Sequence, residues 1–126
     1  MKKKILVTGA FGQIGSELVP ALQKKFGVNN VVAMGHHSIA KDFNGILETA
    51  DARDINAIVS ILKKHNIGII YHLVSLLSVK GEINPSATWD INMNGLKNIL
   101  DLGVIFNTKI FWPSSIAAFG PSTPRI

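Results

Sequence analysis

The chain has 126 residues, enough for one domain with one core, and its 47% hydrophobic and 17% charged content excludes a disordered chain. It contains no cysteine, which excludes a disulfide framework, a thiolate metal site and a thiol nucleophile. The formal net charge of +5 is not drawn into a basic stripe interleaved with aromatics, so nucleic-acid binding is not expected.

Lys4 to Val7 reads as the first strand. The lysines at 2, 3 and 4 precede only a short apolar run before Thr8 and Gly9, too short for a signal peptide or a membrane span. A cytoplasmic protein is therefore expected. Val-Thr-Gly-Ala-Phe-Gly-Gln-Ile-Gly follows, residues 7–15, between a strand and a helical pattern. In that context a Gly-x-x-Gly-x-x-Gly run is a dinucleotide-binding fingerprint. Gly9 allows the tight strand-to-helix turn, Gly12 has no Cβ to hold a pyrophosphate off the backbone, and Gly15 lets the helix pack closely on the strand. The helix N-terminus offers its unpaired N–H groups to the phosphates.

In the helix that follows, Ile14, Leu18, Leu22 and Phe26 recur at i+4 and predict a buried stripe, with a bend at Pro20 and an end at Gly27. Strands are expected at Asn30 to Met34 and Ile46 to Ala50. Asp54 caps a second helix whose Ile55, Ile58, Val59 and Leu62 fall at helical spacing. Ile69 to Val74 is nearly continuous apolar sequence, the pattern of a central strand buried on both faces. Pro85 opens a third helix with Trp89, Met93, Leu96 and Leu100 on one stripe, and Lys109 to Trp112 forms a fifth strand that Pro113 helps to stop. Lys24 and Lys25, and Lys63, Lys64 and His65, close the first two helices, where cations offset the helix dipole without any external partner. Alternating strands and helices with right-handed crossovers give an α/β, doubly wound parallel sheet of Rossmann type over residues 1–126, in the order 3-2-1-4-5.

Three blocks carry a family resemblance: Val-Thr-Gly-Ala-Phe-Gly-Gln-Ile-Gly-Ser-Glu-Leu-Val-Pro at 7–20, Leu-Leu-Ser-Val-Lys-Gly-Glu-Ile-Asn-Pro with Trp-Asp-Ile-Asn-Met-Asn-Gly within 76–95, and Phe-Trp-Pro-Ser-Ser-Ile-Ala-Ala-Phe-Gly-Pro at 111–121. The chain resembles the extended short-chain dehydrogenase/reductases, or NAD-dependent epimerase/dehydratases, and among them the short-chain type of L-threonine 3-dehydrogenase. Nucleotide-sugar epimerases share the architecture and the glycines. The resemblance covers the chain but only the N-terminal part of the family's length, so the sheet is expected to be truncated before its remaining strands and the substrate domain.

The resemblance implies NAD as cofactor and assigns residues one by one. Gly9, Phe11, Gly12, Gln13 and Ile14 fall where the family holds the pyrophosphate, and Asp51 and Ala52 where it meets the adenine, although Asp51 also fits a plain turn. Leu73, Val74 and Ser75 fall beside the ribose and nicotinamide, and Asn92 matches an asparagine that organises the active site. Ser115 matches the catalytic serine or threonine that hydrogen-bonds the substrate oxygen, while Ser78 and Ser114 match substrate contacts. His72 matches a structural histidine, and no metal site is implied. The helix over 85–102 is implied to form a homo-oligomer interface.

Two departures stand out. The acidic residue that binds the ribose diol about 20 residues beyond the fingerprint is expected at position 35, where the chain has Gly35, then His36 and His37. NADP is therefore not excluded, with His36, His37 or Lys41 near its phosphate, while the histidine pair equally fits an exposed loop. The family's chemistry also needs a Tyr-x-x-x-Lys pair, in which the lysine lowers the tyrosine pKa so that the phenol acts as general base. The only tyrosine is Tyr71, and the residue four later is Ser75. The chain alone is expected not to oxidise an alcohol by that route. It then serves either as the cofactor-binding part of a threonine dehydrogenase acting on a small molecule, or as a non-catalytic dinucleotide-binding or assembly module.

Overall fold

The computed structural model describes residues 3–37, 39–75 and 84–113. Five parallel strands form one sheet in the order β3-β2-β1-β4-β5, as the alternation of elements predicts. The strands are β1 (Lys4–Thr8), β2 (Val31–Gly35), β3 (Ile46–Thr49), β4 (Ile67–His72) and β5 (Lys109–Phe111). The helices are α1 (Gly15–Phe26), α2 (Ile55–His65), α3 (Pro85–Trp89) and α4 (Gly95–Ile105), with a π-helical turn, Asp90–Asn94, between the last two.

Alternation along each strand sends neighbouring side chains to opposite faces and so builds two cores. On one face Leu6 of β1, Val32 and Met34 of β2, and Ile70 of β4 pack with Ile58 and Leu62 of α2 and Ile99 and Leu102 of α4. On the other, Ile5 and Val7, with Val31 and Ala33, pack against Val19 and Leu22 of α1. Helices thus lie on both faces, as parallel strands require.

Several sequence expectations need correction. The buried residues of α1 are Gly15, Val19 and Leu22, whereas Ile14 precedes the helix and Phe26 ends it, both exposed. An i+4 row drifts around a helix of 3.6 residues per turn, so its two ends leave the face that Leu22 occupies. The helix continues through Pro20. Strand β4 begins two residues early, because Asn66 takes a left-handed conformation (φ 52°) and turns the chain directly from α2 into Ile67. Only Ile67, Ile70 and His72 of β4 are buried, while Ile69 and Tyr71 are half-buried on the α1 face, so burial is one-sided.

The third helix departs most. The π turn inserts into what the sequence reads as a single helix and changes its phase. Leu96, Ile99 and Leu102 face the core, with Gly95 and Gly103, while Trp89, Met93 and Leu100 are exposed. The stripe read from the sequence is the outer one except at Leu96.

Candidate dinucleotide site

At their C-terminal ends the strands are stitched together by backbone bonds. Leu73 N donates to Thr8 O (3.2 Å), Ala10 N to Met34 O (3.2 Å) and Ala50 N to Gly35 O (3.0 Å). These bonds bring the segments after β1, β2, β3 and β4 around a cleft of about 290 Å³. Its lining includes Gly9, Phe11 and Gly12 after β1, Gly35, His36 and His37 at β2, Asp51, Ala52 and Arg53 after β3, Leu73, Val74 and Ser75 after β4, and Ile91 of the π turn. Ligands bind at this edge of open α/β sheets, outside the carboxyl ends of the strands.

The glycine loop is shaped as the sequence requires. Gly9 has φ +64°, and a Cβ there would come within 2.8 Å of the Leu73 carbonyl carbon. A Cβ on Gly15 would collide with the carbonyl oxygen of Gly9. At Gly12 a Cβ would meet only Gly9 O, at 3.5 Å, so the fold itself leaves room there. Gly12 nevertheless borders the cleft, which is what close approach of a phosphate to the backbone demands. These features suit a dinucleotide.

Nine of the eleven cofactor positions expected from the sequence can be set against the cleft directly: Gly9, Phe11, Gly12, Asp51, Ala52, Leu73, Val74 and Ser75 line it, and Ile14 does not, being exposed. Gln13 is exposed beside it, and its carbonyl accepts a hydrogen bond from Ser16 Oγ (3.1 Å). Asn92 lies in the π turn, half-buried and engaged in an interaction of its own, and Ile91 is the residue of that turn that reaches the cleft. Lys41 is exposed and outside the lining. Ser78, Ser114 and Ser115 lie outside the described residues. Among the described residues no group of three or more His, Cys, Asp or Glu could hold a metal ion.

The sequence reading missed Arg53. Its Nη2 donates to Asp51 Oδ2 at 2.6 Å, its Nε to both carboxylate oxygens at 3.0 and 3.1 Å, and its Nη1 to Asp90 Oδ2 at 3.2 Å. The backbone N–H of Arg53 also donates to Asp51 Oδ1. These hydrogen bonds from Arg53 hold the Asp51 carboxyl down at about 2. Asp90 is lowered by its bond from Asn94 and then by Arg53, and the arginine in turn is raised by both carboxylates. The signal was there in Asp51-Ala52-Arg53-Asp54: an arginine two residues after the carboxylate can fold back on it.

Beneath the cleft, Thr8 Oγ1 lies 2.8 Å from His72 Nδ1, both residues buried. Thr8 Oγ1 also accepts from Leu73 N–H (3.2 Å), which leaves the hydroxyl hydrogen for Nδ1. Burial pushes the His72 pKa down to about 4, in keeping with a neutral structural ring.

A sequence model of the NAD dependent epimerase/dehydratase family matches residues 5–126. An uncharacterized epimerase/dehydratase of Staphylococcus epidermidis is 41% identical over 129 aligned residues, covering 98% of this chain and 40% of the relative. Among solved structures, a monomeric L-threonine 3-dehydrogenase from a metagenome (apo form) is 46% identical with a TM-score of 0.88, covering 95% of this chain and 39% of its own. The L-threonine dehydrogenase of Clostridium difficile is 44% identical with a TM-score of 0.89, covering 97% of this chain and 39% of its own. The chain therefore spans about 40% of the length of the curated relative. No helix among the described residues is long and apolar enough to cross a membrane.

Proposed function

The chain belongs to the NAD dependent epimerase/dehydratase family, and from that premise we propose that it is the cofactor-binding part of an L-threonine 3-dehydrogenase-like oxidoreductase. The observation that carries this reading is the cleft itself, in which Gly9 and Gly12 meet Asp51, Ala52 and the Leu73-Val74-Ser75 segment at one edge of the sheet. Gly12 would leave the backbone open to a pyrophosphate, Asp51 would accept from an adenine amine, and Val74 and Ser75 would border the nicotinamide end. Bound there, a nicotinamide would supply the hydride acceptor. In the completed reaction L-threonine loses a hydride from its β-carbon and a proton from the hydroxyl, giving 2-amino-3-oxobutanoate. By the family resemblance Ser115 would hydrogen-bond the substrate oxygen, Ser78 and Ser114 would contact the substrate, and Asn92, in the π turn, would help to organise the site.

The 126 residues hold no tyrosine followed four residues later by lysine, so the proton has no phenolate acceptor within this chain. We infer that a polypeptide of these 126 residues by itself binds the cofactor without turning over threonine. A second reading is a dinucleotide-binding or assembly module without chemistry. A nucleotide-sugar epimerase or dehydratase relative is the alternative within the family. Calorimetric titration with NAD and, separately, with NADP, followed by a threonine-dependent NADH or NADPH assay, tests these readings. Saturable binding without turnover is expected, threonine-dependent NADH or NADPH formation by the purified chain contradicts the inactivity, and absence of binding contradicts the cofactor role.

The exposed Trp89, Met93, Leu100 and Val104 belong to the 85–102 region or directly follow it, and Trp89 and Val104 are 62% and 84% exposed. Such an apolar face favours self-association.

A further inference from the structure

Resting on the dinucleotide reading of the cleft, we propose that its ribose end is built for a 2′-phosphate, so that NADP binds more tightly than NAD, with His36 and His37 meeting the phosphate. Three observations carry this. First, the carboxylate that would hold a ribose diol is not merely missing. Gly35 is buried, and a Cβ there would lie 2.8 Å from Phe11 Cδ2 and 2.9 Å from Ile39 Cγ1, so apolar groups fill the place of an acidic side chain. Phe11 is in turn set edge-on against Phe43, with ring centroids 5.2 Å apart.

Second, the carboxylate present in the lining is paired with a cation. Asp51 is clasped by the Arg53 guanidinium, with Nη2 at 2.6 Å, and Arg53 also reaches Asp90. Its negative charge is partly compensated by the guanidinium it shares with Asp90, which weakens the repulsion that an unpaired carboxylate exerts on a phosphate dianion.

Third, both residues after Gly35 carry hydrogen-bond donors and both line the cleft. The His36 and His37 rings lie with centroids 3.8 Å apart, and His36 Nδ1 is 3.9 Å from Asp51 Oδ2. Two adjacent imidazoles directly after β2 offer ring N–H donors to a phosphate and, unlike the acidic residue expected at position 35, no carboxylate to a diol.

The test uses probes that differ only in the 2′-phosphate. The protein is titrated calorimetrically with 5′-AMP and adenosine 2′,5′-bisphosphate, then with NAD and NADP, and a His36→Gln, His37→Gln double variant is titrated in parallel. The bisphosphate and NADP are expected to bind on the order of tenfold more tightly than their partners, and the double variant to lose most of that ratio. Equal or weaker binding of the 2′-phosphorylated compounds by the parent protein overturns the proposal while leaving the cleft a nucleotide site. A ratio that survives in the folded double variant overturns the role of the two rings. Absence of binding by all four compounds overturns the nucleotide reading and this proposal together.

Discussion

Gly9 sits so closely on Leu73 that a single added carbon would come within 2.8 Å of the Leu73 carbonyl carbon and 2.9 Å of its oxygen. The turn after β1 is thereby locked to the end of β4, and the cleft lies over that junction. The fold itself therefore demands glycine at position 9 and leaves room for a Cβ at position 12, in keeping with the different roles the motif gives the two. Gly9→Ala forces a left-handed φ on alanine and drives Cβ into backbone, so a loss of about 2 kcal/mol or more is expected in urea unfolding. Gly12→Ala, whose Cβ meets Gly9 O at an ordinary 3.5 Å, is expected to unfold within about 0.5 kcal/mol of the parent protein yet bind dinucleotide at least about tenfold more weakly.

Removal of the Arg53 side chain releases Asp51. In Arg53→Ala the Asp51 carboxyl is expected to titrate well above its present value of about 2, back toward 3.8, in a carboxyl-carbon NMR titration. The sign for stability follows from the depressed value. The Asp51 contribution is present above the ordinary carboxylate pKa and is lost as pH falls toward about 2, and the variant should lack that loss.

His72 sets a second acid limit. Its pKa is about 4 in the fold against an ordinary 6.5, so between those values the unfolded chain binds a proton that the folded chain does not. Stability from this group is complete above about 6.5 and falls as pH drops toward 4, by about 3 kcal/mol in all. Unfolding midpoints measured from pH 7 to pH 4 should decline accordingly. Thr8→Val removes the donor 2.8 Å from Nδ1 and is expected to cost about 1–3 kcal/mol at neutral pH.

Trp89 and Leu100 provide the test of self-association. A dimer or larger species is expected in light scattering at tens of micromolar, and Trp89→Asp with Leu100→Asp, both at exposed positions, should return it to monomer without loss of helix. A monodisperse parent monomer contradicts the interface.

The architecture was legible because strand and helix signals alternate with clear punctuation, and right-handed crossovers together with the doubly wound pattern that the glycine fingerprint implies give the order of strands. Asp54 also behaves as its sequence suggests, accepting from Ala57 N at 3.2 Å. Helix faces were less legible. The row of Ile14 and Phe26 with Leu22 reads as one face, yet its ends drift into solvent, and the π turn at Asp90–Asn94 shifts the phase of the Trp89–Leu100 row with no local residue to announce it. Within the cleft, the glycines and Asp51 were readable from motif and spacing. The clasp of Arg53 on Asp51 had a local signal two residues away, whereas its reach to Asp90, 37 residues away in sequence and brought close by packing, shows only in the fold. The meaning of Gly35 was half readable: the missing acid shows in the sequence, while the Phe11 and Ile39 side chains that fill its place show only in the fold.

Backbone amide shift mapping with NADP and with NAD tests the central claim most directly, because it locates the ligand as well as detecting it. Occupation of the cleft is expected to move the amides of Gly9, Gly12, Gly35, Ala52 and Val74, and to leave Gly68, Asn107 and Lys109 at the opposite end of the sheet unmoved. No movement with either dinucleotide, or movement confined to that opposite end, would contradict a dinucleotide site at the glycine loop.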